Sequence, residues 1–185
     1  MKPPCLTRVP LAIAGEPSLG SVDEFGYVTT ADGWRVEWWI VGDDYWHVPA
    51  ASTTVRQRSV DHTPVVETAM RVPGGDVVHR VAAVAGEGAS SVAVEIDNSG
   101  TIPVAVGIAL IAPDAGAAAK VVLEGPAVRI DGDGRIRFAQ APRGEAVTAP
   151  GGGNGEGLVQ SEGHGESGGG GVGAACLSAW RHMRV

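Results

Sequence analysis

Cysteine is scarce. Cys5 and Cys176 are the two in 185 residues, too few for a disulfide framework or a cysteine-ligated metal cluster. A reduced, cytoplasmic protein is the expectation. Basic residues are also outnumbered, with 14 Lys and Arg against 21 Asp and Glu. The resulting formal charge of −7 argues against nucleic acid as a partner, because phosphate backbones are held by basic stripes. Charge that keeps a chain dispersed in water is the plainer reading. Long apolar runs are missing too, and none approaches the roughly 18–20 residues of a membrane helix, so no membrane partner is expected. The first residues hold Lys2 but only a short apolar patch broken by Pro10 and Gly15, which reads against a secretory signal. Nowhere does an apolar stripe of helical period persist for three turns.

Glycine, by contrast, is abundant and unevenly spread. Of 28 glycines, 12 fall in the 23 positions from 151 to 173, among scattered Glu and Ser. Such a segment has too little apolar surface to offset the ordering entropy of about 1–2 kcal/mol per residue. The expected organisation is an extended, proline-rich segment at 1–20 with one edge strand near 11–14, a folded domain at 21–142, and a glycine-rich disordered tail at 143–185. The closing AACLSAWRHMRV regains apolar character without a period that matches any element. One reading of that tail is the truncated or frame-shifted end of a longer coding region.

Between these ends, alternation dominates. In SVAVEIDNSGTIPVAVGIALIA (91–112), Val92, Val94 and Ile96 alternate with Ala93, Glu95 and Asp97, and after Asn98-Ser99-Gly100 a second run sets Ile102, Val104, Val106, Ile108 and Leu110 against Pro103, Ala105, Gly107 and Ala109. The expectation is a hairpin whose second strand is covered on both faces. WRVEWWIV (34–41) places Trp34, Val36, Trp38 and Ile40 on one side, and Ala31-Asp32-Gly33 before it is a hairpin signal. Strands at 53–60 and 65–72 flank Asp61–Pro64 in a register that sets Arg58 opposite Glu67. Pro73-Gly74-Gly75 then turns into 76–85, whose pairing with 91–97 sets Arg80 opposite Glu95 and sets Val77, His79, Val81 and Ala83 against Val92, Val94 and Ile96. Short strands follow at 120–124, 127–130 and 135–139, while 115–119 forms a helical turn or a loop. The fold class predicted is all-β, an antiparallel, supersandwich-like β-sandwich.

Four of five tryptophans, Trp34, Trp38, Trp39 and Trp46, lie within 13 positions beside Tyr45. Trp34 and Trp38 share the apolar face and belong to a core. Trp39 and Trp46 are open between packing and ligand contact. Aromatic faces beside carboxylates hold sugars by stacking on the pyranose while Asp or Glu accepts hydroxyl hydrogens, which makes Trp39, Asp44 and Trp46 the candidate carbohydrate contacts. Asp43 and Asp44 as an acid and base pair would suit glycoside hydrolysis, but adjacent loop residues project apart and turn capping is the commoner role. No catalytic residue is assigned. His47, His62 and His79 lack zinc spacing, and His79 on an apolar strand face reads as a core histidine. Asp131-Gly132-Asp133-Gly134 lacks the later ligands of a calcium loop and reads as a hairpin turn. Neither a metal nor any other cofactor is expected.

With strands so placed, the run from Trp34 to Ala112 resembles the N-terminal β-sandwich domain of bacterial glucoamylase-type, six-hairpin glycosidases and related uncharacterised actinobacterial proteins. The residues that carry the likeness are Asp32-Gly33-Trp34, Trp39 with Val41-Gly42-Asp43-Asp44, Trp46-His47 and Pro49, Arg56-Gln57-Arg58, Pro64 to Thr68, Val72 to Asp76, and Glu95 to Ser99. The resemblance implies a non-catalytic module that contacts glucan or oligosaccharide, since in that family the chemistry belongs to a helical α/α barrel absent from this chain. Two other functions stay open: a stand-alone sugar-binding module and an immunoglobulin-like structural or interaction domain.

Overall fold

The computed structural model describes residues 8–42, 45–113, 121–130, 133–139, 144–147 and 175–180. In chain order, β1 (Val9–Leu11), β2 (Gly20–Val22), β3 (Val28–Thr30), β4 (Arg35–Val41) and β5 (Trp46–His47) come first. A single 3-10 turn at Pro49–Ala51 precedes β6 (Arg56–Ser59), β7 (Val66–Val72), β8 (Gly75–Val84) and β9 (Ser91–Asn98). After these come β10 (Ala105–Ile111), β11 (Val121–Glu124), β12 (Ala127–Ile130), β13 (Asp133–Arg137), β14 (Gly144–Val147) and β15 (Ala175–Trp180). Every pairing between them is antiparallel. The protein is all-β, as the period-two patterning predicts, and among the described residues no helix is long and apolar enough to cross a membrane.

Three sheets form. The largest runs β1-β2-β3-β4-β10-β15-β14 with β5 attached to β4, the second runs β6-β7-β8-β9, and the third runs β11-β12-β13. Their apolar faces close on one another. Tyr27, Trp38, Ile40, Ile108 and Leu110 from the large sheet side pack with Met70, Val72 and Val77 of the four-stranded sheet and with Val128 and Ile130 of the small one. A second cluster joins Leu11, Val22 and Val28 to Val66 and Val81. Burying side chains of this size stabilises by roughly 1.5–3 kcal/mol each, and sharing them between facing sheets makes the arrangement a sandwich.

Local chemistry accounts for the registers. The Ala31-Asp32-Gly33 turn closes on Gly33 at φ +89°, with the Gly33 amide donating to the Thr30 carbonyl at 2.9 Å and Val28 opposite Val36. On the outward face of the four-stranded sheet, Arg58 stands opposite Glu67 and Arg80 opposite Glu95, as the alternation predicts. Glu67 is in fact shared: its two oxygens accept from Arg58 Nε at 2.8 Å and Arg80 Nε at 2.9 Å. Those bonds, the one from Arg58 foremost, hold its carboxyl below the usual range against the pull of burial.

The 91–112 hairpin does not form. β9 pairs with β8 in the four-stranded sheet, whereas β10 pairs with β4 and β15 in the large one, so the segment between them crosses from one layer to the other. The turn residues bond sideways: the Ser99 amide donates to the Asp76 carbonyl at 2.9 Å and the Thr101 amide to the Gly74 carbonyl at 3.0 Å. The Asn98 side chain donates to the Ile102 carbonyl at 2.8 Å. A strand apolar on both faces belongs between two neighbours, and Ala105, Ala109 and Leu110 are all buried there. The first strand is displaced slightly from 11–14 to Val9–Leu11. In the stretch assigned to the tail, β15 lies along β10 and β14 pairs with β15, which uses the apolar ACLSAW segment as a sheet strand. The glycine-rich residues 151–173 and the segment 115–119 lie outside the described residues.

Candidate functional site

The site begins at the end of β4. Gly42 donates its amide to the Tyr45 carbonyl at 3.3 Å, and β5 folds back so that Ile40 faces His47 and Val41 faces Trp46. Opposed residues share a face. Trp46 therefore joins Trp39 on the outer side, where the rings meet edge to face, 6.0 Å apart at 89°. Such a contact is worth about 0.5–1.5 kcal/mol beyond area and fixes the orientation of the outer indole. His47 turns inward and is nearly buried, with the Tyr45 ring tilted over it at 4.4 Å. Tyr45 is 64% and Trp46 38% exposed, the two aromatic rings most open to solvent among the described residues.

Pro49 then starts the 3-10 turn, where its fixed φ suits an N-terminal position. The buried Tyr27 phenol receives the Ala50 amide at 3.3 Å, and burial pushes its pKa up to about 12, so it stays a neutral anchor under the turn. Beyond it, Ser52 and Thr54 share a hydroxyl contact at 2.9 Å. Thr54 Oγ1 both accepts from the Arg71 amide at 3.1 Å and faces the Arg71 carbonyl at 3.3 Å. These bonds tie the segment after β5, which belongs to the large sheet, to the end of β7 in the facing sheet.

These residues border an open groove of about 480 Å³, lined by Tyr45, Trp46, His47 and Val48 together with Ser52, Thr53, Thr54, Arg71 and Pro73. Its size suits a small ligand or a few sugar rings. Arg71 is largely exposed, with Nε 3.2 Å from Asp76 Oδ1, and Arg56 pairs with the other Asp76 oxygen. The lining thus offers aromatic faces, hydroxyls and one guanidinium. Among the described residues, no group of three His, Cys, Asp or Glu side chains is placed to hold a metal ion.

Of the predicted contacts, Trp46 is in the groove wall, Trp39 stands behind it as its support, and Asp44 lies outside the described residues with Asp43. Trp34 is partly buried against the core and Trp38 is fully in it. His79 is also in the core, stacked on Trp38 with the rings 5.2 Å apart and 8° from parallel. On the outer face, Glu37 next to Trp39 pairs with Arg35 at 2.8 Å. Burial pushes its carboxyl up, opposed by the Arg35 charge and the Trp39 indole. Ser52, Thr54 and Arg71 carried no signal in the sequence beyond their polarity. Comparison with protein-family models, curated proteins and solved structures finds no match for this chain.

Proposed function

We propose that the chain is a non-catalytic β-sandwich module that holds glucan or another oligosaccharide in the groove beside Trp46, in the manner of the N-terminal domain of a glucoamylase-like glycosidase. The observation that carries this reading is the pair of exposed rings, Tyr45 and Trp46, lining a groove of about 480 Å³ together with the hydroxyl-bearing Ser52, Thr53 and Thr54. A pyranose ring stacks on an indole through its C–H face, and its hydroxyls exchange hydrogen bonds with Ser, Thr and Arg. In this reading Trp39 fixes the angle of the Trp46 platform, and Asp44, next to Tyr45 in sequence, accepts sugar hydroxyls. Bond cleavage falls to a helical catalytic domain that the module would accompany. Two cysteines in 185 residues suit a reducing, cytoplasmic setting.

The test is titration of the chain with gluco-oligosaccharides at millimolar concentration, followed by tryptophan fluorescence. The expected result is a saturable change that Trp46→Ala removes while the fold persists. No response in the wild-type chain would overturn the reading. An interaction domain is the second reading, favoured by one observation: β9 is the outer strand of its sheet, and Val94, inward-facing opposite Val81, is 44% exposed. Edge strands with uncovered apolar residues invite pairing. Concentration-dependent oligomers that Val94→Lys abolishes would support this second reading.

A further inference from the structure

We infer that β9 takes up an added strand from a partner protein, an extended segment in which basic and apolar residues alternate; the inference rests on the interaction reading above and not on the glycan one. The two rims of the four-stranded sheet differ. β6 is four residues long and carries Arg56 and Arg58, and its Gln57 side chain donates to the Asp23 carbonyl at 2.6 Å and to Thr68 Oγ1 at 3.0 Å. A short, basic edge strand refuses further pairing. β9 has none of these devices. It is eight residues long without proline or lysine, it keeps an unbroken register with β8, and no strand among the described residues pairs with its far side. Its inward row is apolar and incomplete: Val92 packs against one core cluster and Ile96 against the other, whereas Val94 between them is 44% exposed. A side chain from one more strand would close that gap.

The outward row tells what the added strand carries. Arg58, Glu67, Arg80 and Glu95 stand opposite one another on four successive strands, so the charge alternates in sign across the sheet and ends on a carboxylate at the rim. Arg80 gives its Nε to Glu67 at 2.9 Å and reaches Glu95 through Nη1 at only 3.7 Å. The Glu95 side chain is 60% exposed. Two residues on, Asp97 lies on the same face and among the described residues meets the Ser99 hydroxyl at 3.4 Å. The other charged groups on β8, β9 and the turn between them are Asp76 and Glu87, which leaves Arg80 as the one arginine or lysine there, and Asp76 is already held by Arg56 and Arg71. The neighbour that continues the alternation has cations opposite Glu95 and Asp97, an apolar residue between them beside Ile96, and another beside Val94. A second copy of β9 would bring only further carboxylates to this rim.

The experiment titrates the full chain into fluorescein-labelled Thr-Val-Lys-Val-Lys-Val-Thr and, separately, into Thr-Val-Glu-Val-Glu-Val-Thr, read by fluorescence anisotropy, with amide hydrogen exchange of residues 91–98 followed in parallel. The lysine peptide is expected to bind at least about tenfold tighter than the glutamate peptide, since opposite charges across strands attract and like charges repel, and to slow exchange in 91–98. That preference shrinks in the Glu95→Gln, Asp97→Asn double variant and, in the wild type, at about 1 M salt, where charges are screened within a few ångströms. Val94→Lys, which points a cation inward at the rim, abolishes binding of the lysine peptide. Should the double variant fail to fold, the salt dependence decides the matter. Equal binding of the two peptides overturns the basic class and leaves the interaction reading standing. Binding of the lysine peptide without protection of 91–98 overturns the assignment to β9. Dimers by sedimentation that Val94→Lys dissociates make a second copy the occupant and overturn the basic partner. Binding of neither peptide by a chain that stays monomeric overturns the interaction reading itself and leaves the glycan reading untouched.

Discussion

Acid should unfold this protein through one buried imidazole. His79 is 2% exposed, stacked on Trp38 at 5.2 Å and set opposite the buried Thr68 and the half-buried Ile96. Its Nδ1 has no hydrogen-bond partner among the described residues. Burial disfavours the imidazolium and lowers the pKa from 6.5 to about 4, only weakly opposed by the polarity of its own backbone. In the unfolded chain the same group takes up a proton near 6.5, so the unfolded state binds more protons between these values. Stability is therefore fully present above pH 6.5 and is lost as pH falls toward 4. At about 1.4 kcal/mol per pH unit, the loss attributable to His79 between pH 7 and pH 4 is about 3 kcal/mol. Carboxylates titrate in the same range, so the quantity to measure is a difference. Urea unfolding of wild type and of His79→Phe, which keeps an aromatic ring against Trp38, is compared at pH 7 and pH 4. The wild type should lose about 3 kcal/mol more than the variant. Equal losses would refute the claim that His79 is held neutral by burial.

Three other outcomes follow from the same geometry. Glu67→Gln removes the charge that both Arg58 and Arg80 bond to; it should cost about 1–3 kcal/mol at pH 7 by urea unfolding. Because the Glu67 carboxyl is held low, that cost should shrink as pH falls through its folded-state range. Gly26→Ala should lower stability by about 1–3 kcal/mol, since φ there is +80° and a Cβ would sit 2.9 Å from Thr68 Oγ1 and 3.0 Å from Trp38 Nε1; a thermal melt reads it. Tyr27→Phe frees the Ala50 amide beneath the 3-10 turn and should cost about 1 kcal/mol, with a weaker glycan response in the fluorescence titration.

Alternation made the strands and several of their registers legible. Trp38 and Ile40 are inward and Trp39 outward because strand side chains alternate, and the same rule placed Arg58 opposite Glu67 and Arg80 opposite Glu95. Period two is silent, however, on which strands become neighbours. Asn98-Ser99-Gly100 would serve a hairpin or a crossing between layers equally well; the choice was made by the Gly74 and Asp76 carbonyls, which accept the Thr101 and Ser99 amides. Trp46 was recognisable as a candidate because it lies beside Tyr45 and acidic residues, although the sequence left it open between packing and ligand contact. Arg71 was not, since it reads as one more polar position on a half-buried strand, and only the fold brings it to the same groove as a ring 25 positions earlier.

The pairing of β4 with β10 carries a consequence for how the chain acquires its shape. Val36 meets Leu110 and Trp38 meets Ile108, so the central ladder of the large sheet joins partners separated by all of β5 to β9. Contacts of such long range are slow to form, because closing the intervening loop costs entropy before any bond repays it. On the ribosome the tryptophan-rich ribbon must wait, greasy side uncovered, until its mate has been synthesised. Its survival in that interval rests on the charges interleaved along it, Arg35 and Glu37, which guard a lone edge against the wrong neighbour.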